Sequence, residues 1–454
     1  MAFVTTNPAT GEVEQTFDTH TPDQVDALLG QAAATFAELR RTTFADRARL
    51  LTTAAELLEG EVPDVARVLT TEMGKTFASA KGEAAKCASA MRWFADHAVG
   101  LLADEVVQSA AGRSLVRYQP LGPVLAVMPW NFPLWQVVRF AAPALMVGNV
   151  GLLKHASNVP QTALYLEDLF RRAGYPAGAF TTLMIGSGDV AKVIADDRVV
   201  AVTLTGSEAA GRSVAAAAGD VLKKCVLELG GSDPFVVLPS ADLDRAVAVG
   251  VQARVQNNGQ SCIAAKRFVV HTDVYDRFLD RFTDAMAALT VGDPFDPATD
   301  VGPLNSAAQR DEVAGQVDDA RAHGAVVGCG GVVPGGPGWY YPPTVLSGVT
   351  PAMRVFEEEV FGPVAVVERA ADVDDAIDLA NRTAFGLGSS VWTTDPAEEA
   401  RCIDRIDAGQ VFVNAMVAST PEMPFGGIKR SGYGRELSAL GIKEFCNAKG
   451  VWVA

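Results

Sequence analysis

The sequence predicts an α/β protein of two units, each a mostly parallel sheet covered by helices. Three observations predict this. Short β-rich runs alternate with helical stretches, as strands joined by crossover helices require. The alternation starts twice, near Val124 and again near Pro234, with the pair Gly230 and Gly231 in between. A chain of 454 residues is also longer than one ordinary core accommodates, so two or three domains are expected.

From Thr21 to about Val107 the pattern is helical, with Val25, Leu28 and Leu29, then Leu50, Leu51, Leu57 and Leu58, at three- and four-residue spacing. Asp23 and Asp46 stand near helix starts, where the helix dipole favours acidic side chains. Ser109 to Gln119 mixes Ser, Arg, Val and Tyr around Gly112 and reads as a hairpin. Strands follow at Val124–Val127, Val150–Leu153, Ala201–Leu204 and Cys225–Glu228, separated by helical runs. The second series has strands at Pro234–Leu238, Arg267–Val270 and Val364–Val367. Gly and Pro crowd Gly328 to Pro343, the mark of a surface turn region. A last strand, Gly450–Val453, is expected at a free edge able to pair with another subunit.

Composition excludes several classes. A formal charge of −16 opposes binding to nucleic acid, whose phosphates need Lys and Arg. An anionic small molecule is still admissible, because local cations and helix N-termini set the field inside a cleft. The six cysteines form no CxxC pair or regular framework, which reads as reduced thiols in a cytoplasmic protein without a metal site. The N-terminus shows no signal or transit pattern, and no apolar run is long enough to span a bilayer.

One segment concentrates chemistry. Cys262, in Gly259-Gln260-Ser261-Cys262, is a soft nucleophile among small and polar residues, and Glu228, in Glu228-Leu229-Gly230-Gly231, offers a separate base. Such a pair suits covalent acyl chemistry, although a buried packing cysteine and an ion-paired glutamate would read alike in isolation. Asn131, in Pro129-Trp130-Asn131-Phe132-Pro133, carries an amide that donates to an oxyanion without titrating, or serves a turn. Thr205-Gly206-Ser207-Glu208-Ala209-Ala210-Gly211 joins a strand to a helix and exposes N–H groups suited to a pyrophosphate through Gly206, Ser207 and Gly211. It lacks the Gly-x-Gly-x-x-Gly spacing and is weak evidence alone. Arg139 follows Asn131 on a helix expected to begin after Pro133, which would bring its guanidinium to the same end of the cleft for bidentate binding of a carboxylate.

These motifs, with Glu358-Glu359-Val360-Phe361-Gly362-Pro363 and Pro424-Phe425-Gly426-Gly427, resemble the aldehyde dehydrogenase superfamily in content and order over most of the chain. The resemblance implies a Rossmann-like cofactor domain (1–107 and 120–230), an α/β catalytic domain (231–425), a small β oligomerisation flap (108–119 and 440–454) and a return to the cofactor domain at 426–439. It implies Cys262 as nucleophile, Glu228 as the base that activates the deacylating water, and Asn131 with the backbone N–H of Cys262 as the oxyanion site. It places Trp130, Lys154, Ser157, Glu359 and Phe361 at the cofactor, Glu359 on the nicotinamide ribose and Phe361 near the ring. An acidic cluster on a solvated face is the rival reading of Glu357 to Glu359.

Two departures direct the specificity expected. Family members that prefer NAD often have Glu where this chain has Ser157, so NADP is expected to be preferred, with NAD possible. Arg139 resembles the arginine of the branch that oxidises succinate semialdehyde, with Ser261 and Ser419 adding hydroxyl donors; a second arginine common in relatives is Gln256 here, with Arg254 two positions earlier. Position 264 is Ala, so no neighbouring thiol can form a disulfide with Cys262. The expected reaction is oxidation of succinate semialdehyde to succinate by a homodimer or homotetramer. Alternatives are another carboxylated or aliphatic aldehyde such as glutarate semialdehyde, transfer of the acyl group to CoA, and a catalytically silent scaffold. Retention of Glu228 speaks against CoA transfer.

Overall fold

The structure, a computed structural model, describes residues 3–454. Its first sheet has the strand order Gly432–Tyr433, Lys224–Glu228, Ala201–Thr205, Pro123–Met128, Val150–His155 and Phe180–Thr182, parallel except for the first. Buried on both faces, these strands read as continuous apolar runs; Val124, Leu125 and Ala126 are fully buried. The chain leaves Pro123–Met128 on one side and returns to pair on the other with Ala201–Thr205. That reversal opens a crevice beyond the carboxyl ends of both strands, where ligands bind in open α/β sheets.

Helices Pro22–Leu39, Phe44–Gly60, Val62–Met73 and Phe77–Leu101 account for the N-terminal helical pattern, and the hairpin Phe3–Thr6 with Val13–Phe17, which the periodicity did not indicate, precedes them. Thr21 and Thr43 close capping boxes on the first two helices, with Asp23 and Asp46 in their first turns. The 25-residue helix Phe77–Leu101 packs against Trp135–Val147, the helix that follows Asn131.

The second sheet runs Val326–Cys329, Thr344–Ser347, Val364–Ala370, Arg267–His271, Pro234–Val237, Gly388–Trp392 and Gln410–Val413, parallel except for the first. Leu229 to Asp233 connect the two sheets, which places Glu228 at the end of one and Cys262, just before Arg267–His271, beside the other. A third sheet is antiparallel, in the order Cys446–Val453, Arg113–Pro120 and Glu105–Val106. Its last strand in sequence is paired on one side only. No helix among the described residues is long and apolar enough to cross a membrane.

Candidate active site

Cys262 lies in the loop between the helix Leu243–Val255 and the strand Arg267–His271. Three successive residues before it have positive φ: Asn257 at 56°, Asn258 at 58° and Gly259 at 76°. Asn tolerates this left-handed conformation better than most side chains, and Gly adopts it freely. Both carboxamides also bind what surrounds them. Asn257 Nδ2 donates to the carbonyls of Asn131 (2.7 Å) and Gln260 (3.0 Å). Asn258 Nδ2 donates to Gly74 O (2.8 Å) and Pro303 O (2.9 Å), while its Oδ1 accepts from Gly302 N (2.9 Å). On the other side Lys266 Nζ donates to Ser261 O (3.0 Å), Cys262 O (2.8 Å) and Ala264 O (3.2 Å). Sequence reasoning singled out none of these; the adjacent Asn-Asn-Gly was the signal.

Asn131 Nδ2 donates to Gln260 O (3.1 Å), so its amide is tied to the nucleophile loop. The segment around it is clamped from two directions. His155 Nδ1 accepts from Ala156 N (2.9 Å), which leaves Nε2 to donate to Pro133 O (2.9 Å). Burial holds this imidazole neutral, with its pKa pushed down to about 4. Glu83, paired with the buried Lys75, accepts from the N–H groups of Leu134 and Trp135 (2.9 Å each) and so caps the helix that carries Arg139.

Two cavities meet at Cys262 and Gln136. The larger, about 260 Å³, lies in the crevice of the first sheet, lined by Trp130, Asn131, Gly206, Ser207, Glu359 and Phe361 among others. Trp130 and Phe361 meet edge to face, 5.7 Å between centroids. Glu359 accepts from Gly231 N (3.2 Å) and pairs with Lys266 (3.3 Å), whereas Glu358 is taken by Arg354 and Glu357 is exposed. Of that acidic cluster only Glu359 lines the cleft. The smaller cavity, about 100 Å³, is bordered by Ser261, Ser419, Lys86, Trp135 and Phe425, with Arg139 and Gln256 also on its wall.

Arg139 does not present the free guanidinium that the sequence led us to expect. Only 2 % exposed, its Nε is paired with Glu436, its Nη2 donates to Thr205 Oγ1 (3.2 Å) and its plane lies over Phe425. The motif showed the arginine and not its partner, which is almost 300 residues downstream. Arg254 is fully buried and donates to Gly259 O (2.8 Å), supporting the loop from behind. Glu228 lines neither cavity. Its carboxyl is buried, without a hydrogen-bond partner among the described residues, and packs at the bare Cα of Gly426, where a Cβ would stand 2.6 Å from Oε1.

Burial, and then the neighbouring Glu436, hold the Glu228 carboxyl well above the usual range, opposed by Arg139. Burial likewise pushes the Cys262 thiol up to about 12, with Arg139 and Lys266 pulling the other way.

The larger cavity has the lining of a nucleotide site at the carboxyl ends of the first sheet. Ser207 caps the helix Glu208–Asp220 by accepting from Ala210 N (3.3 Å), and Gly206 turns the chain at the end of Ala201–Thr205. Gly211 lets that helix approach the sheet, since a Cβ there would come within 2.6 Å of Leu229. Lys154 and Ser157 stand beyond this cavity, Lys154 near the end of Val150–His155 and Ser157 just after it. Ser157 is held by its carbonyl, which accepts from Val4 N (3.0 Å).

A doubly wound crevice whose lining includes a cysteine thiol and an asparagine amide defines the class of nucleotide-dependent oxidoreductases. The chain belongs to the aldehyde dehydrogenase family, whose model matches residues 1–451. It is 61 % identical to the succinate-semialdehyde dehydrogenase [NADP(+)] 1 of Mycobacterium ulcerans (strain Agy99), over 100 % of both chains, and equally to the enzyme of that name from Mycobacterium tuberculosis (strain ATCC 25618 / H37Rv), again over 100 % of both. The succinic semialdehyde dehydrogenase of Streptococcus pyogenes, solved in complex with NADP+, superposes with a TM-score of 0.98 at 39 % identity, over 100 % of both chains.

Proposed function

We propose that this chain oxidises succinate semialdehyde to succinate with NADP as oxidant. The observation that carries this reading is the position of Cys262, where the crevice of the first sheet meets a small cavity bearing cations and two serine hydroxyls. The full-length relatives supply the same substrate and cofactor in their names.

In this reading Gly206 and Ser207 would hold the pyrophosphate at the helix N-terminus and Glu359 the nicotinamide ribose, whereas Gly211, expected at the pyrophosphate, spends its N–H on Ser207 O and packs against Leu229. Trp130 and Phe361 would border the ring, and Lys154 with Ser157 would take the 2′-phosphate. When bound, NADP supplies the oxidant, taking up two electrons and hydrogen from the aldehyde carbon.

Cys262, having passed its proton to solvent in the open crevice, attacks that carbon as the thiolate, and the oxyanion of the thiohemiacetal is held by Asn131 and the backbone N–H of Cys262. Oxidation leaves a thioester on Sγ. Glu228, turned about its side-chain torsions from Gly426 toward Cys262, takes a proton from the water that hydrolyses it. Because its pKa is raised, this base becomes ionised as pH rises, so deacylation accelerates on the alkaline side.

The flap of residues 108–119 and 440–454, whose strands Arg113–Pro120 and Cys446–Val453 pair with Glu105–Val106, joins subunits of a homo-oligomer in this scheme, with residues 1–107, 120–230 and 426–439 around the cofactor and 231–425 carrying the nucleophile. Initial rates for succinate semialdehyde and butanal, each with NADP and NAD, test the reading. The highest kcat/KM is expected for succinate semialdehyde with NADP; a preference for butanal or for NAD would overturn it.

A further inference from the structure

The turn that carries Ser157 is held from outside itself. It joins the strand Val150–His155 to the helix Pro160–Arg172, whose N-cap, Val159, has no side-chain acceptor for the first turn. Two N–H groups there depend on a remote partner. Glu72, at the end of the helix Val62–Met73 and buried, accepts both: Gln161 N donates to Oε1 (2.8 Å) and Thr162 N to Oε2 (3.1 Å). The same two oxygens accept from the hydroxyls of Thr5 (2.9 Å) and Thr162 (2.7 Å). Burial pushes the Glu72 carboxyl up to about 7, opposed by these hydrogen bonds. The N-terminal strand Phe3–Thr6 closes the arrangement. Thr5, fully buried, also accepts from Gln161 Nε2 (3.0 Å), so one hydroxyl joins the strand, Glu72 and the helix. One residue earlier, Val4 N donates to Ser157 O (3.0 Å).

We propose that Glu72 and Thr5 are positioning residues for cofactor choice, which fix the turn of residues 156–159 so that Ser157 meets the 2′-phosphate of NADP beside Lys154. Neither touches the cofactor; both act through the backbone of the turn. Hydrogen bonds to a phosphate are strong only when donor and acceptor are aligned, so a turn that drifts loses them. NAD has a hydroxyl in place of that phosphate, and the exact placement of Ser157 therefore weighs on NADP far more than on NAD. The assignment rests on the proposed 2′-phosphate site at Lys154 and Ser157, and adds the residues that hold it in place.

The test is the ratio of kcat/KM for NADP to that for NAD, measured with succinate semialdehyde in five proteins: unmodified, Glu72→Gln, Thr5→Val, Thr5→Ser and Ser157→Glu. Glu72→Gln turns an amide donor toward groups that themselves donate, and should lower the ratio about tenfold through a raised KM for NADP, with kcat kept. Thr5→Val keeps the shape and removes the hydroxyl, and should lower it about threefold. Thr5→Ser, which restores the hydroxyl, should restore the ratio. If Glu72→Gln is insoluble, Thr5→Val against Thr5→Ser carries the test. Equal falls with both cofactors, or a ratio unchanged in Glu72→Gln and Thr5→Val while Ser157→Glu lowers it, would overturn the role of Glu72 and Thr5 alone. A ratio that Ser157→Glu leaves unchanged would overturn the 2′-phosphate site and this assignment with it.

Discussion

Lys86 and Arg139 show how far a single residue can be read before its neighbours are known. Arg139 stood in a recognisable motif, so its charge was legible, but Glu436, which lies against it, comes from a distant segment. Lys86 sits in an Ala-rich helix where a lysine reads as a solvated face, and only the packing of Phe77–Leu101 on Trp135–Val147 turns it inward. The difference has a pH consequence. Burial lowers the Lys86 pKa to about 8, partly restored by Cys87 and Glu83 on its own helix and further lowered by Arg139 from the facing one. Lys86 is charged below that pKa and loses its charge above it.

At the scale of elements, the longer buried strands of both central sheets were legible as contiguous apolar runs and Asp23 and Asp46 marked two helix starts, whereas short strands such as Phe180–Thr182 and Gly388–Trp392 were not read. Cys262, Glu228 and Asn131 were visible for the same reason, each lying inside a short contiguous motif. The conformation of the nucleophile loop was not visible, since it depends on contacts with remote segments. Asn258 alone joins Gly74, Gly302 and Pro303 through three hydrogen bonds. Asn258→Ala removes them, leaves buried backbone groups unsatisfied and puts a Cβ without a compensating amide in the left-handed region. A loss of about 3 kcal/mol in unfolding free energy is expected. Urea titration followed by tryptophan fluorescence measures it, and an unchanged midpoint would show that the loop is held by other means. A Cβ at Gly259 would meet the backbone of Gly362, so Gly259→Ala should be more damaging still.

For the whole molecule, the reversal of strand order in the first sheet and the loop before Arg267–His271 bring the crevice and the thiol together. The antiparallel sheet stands apart from this and leaves Cys446–Val453 unpaired on one side, with Trp452 63 % and Val106 76 % exposed. An exposed apolar edge of this kind favours pairing with another copy. The protein should run as a homo-oligomer in light scattering, and Trp452→Lys should shift its mass toward that of one chain. A single-chain mass for the unmodified protein would refute that role.

The central claim is that the aldehyde becomes an acyl group on Cys262 before water removes it. Glu228→Gln should stop the pathway after oxidation, because the amide cannot take the proton from water. The decisive measurement is mass spectrometry of this protein, intact and as peptides, after mixing with NADP and succinate semialdehyde. The expected result is a stoichiometric burst of NADPH with the mass of one succinyl group added to the peptide that carries Cys262. A burst with no adduct, or an adduct on any other residue, would contradict the account.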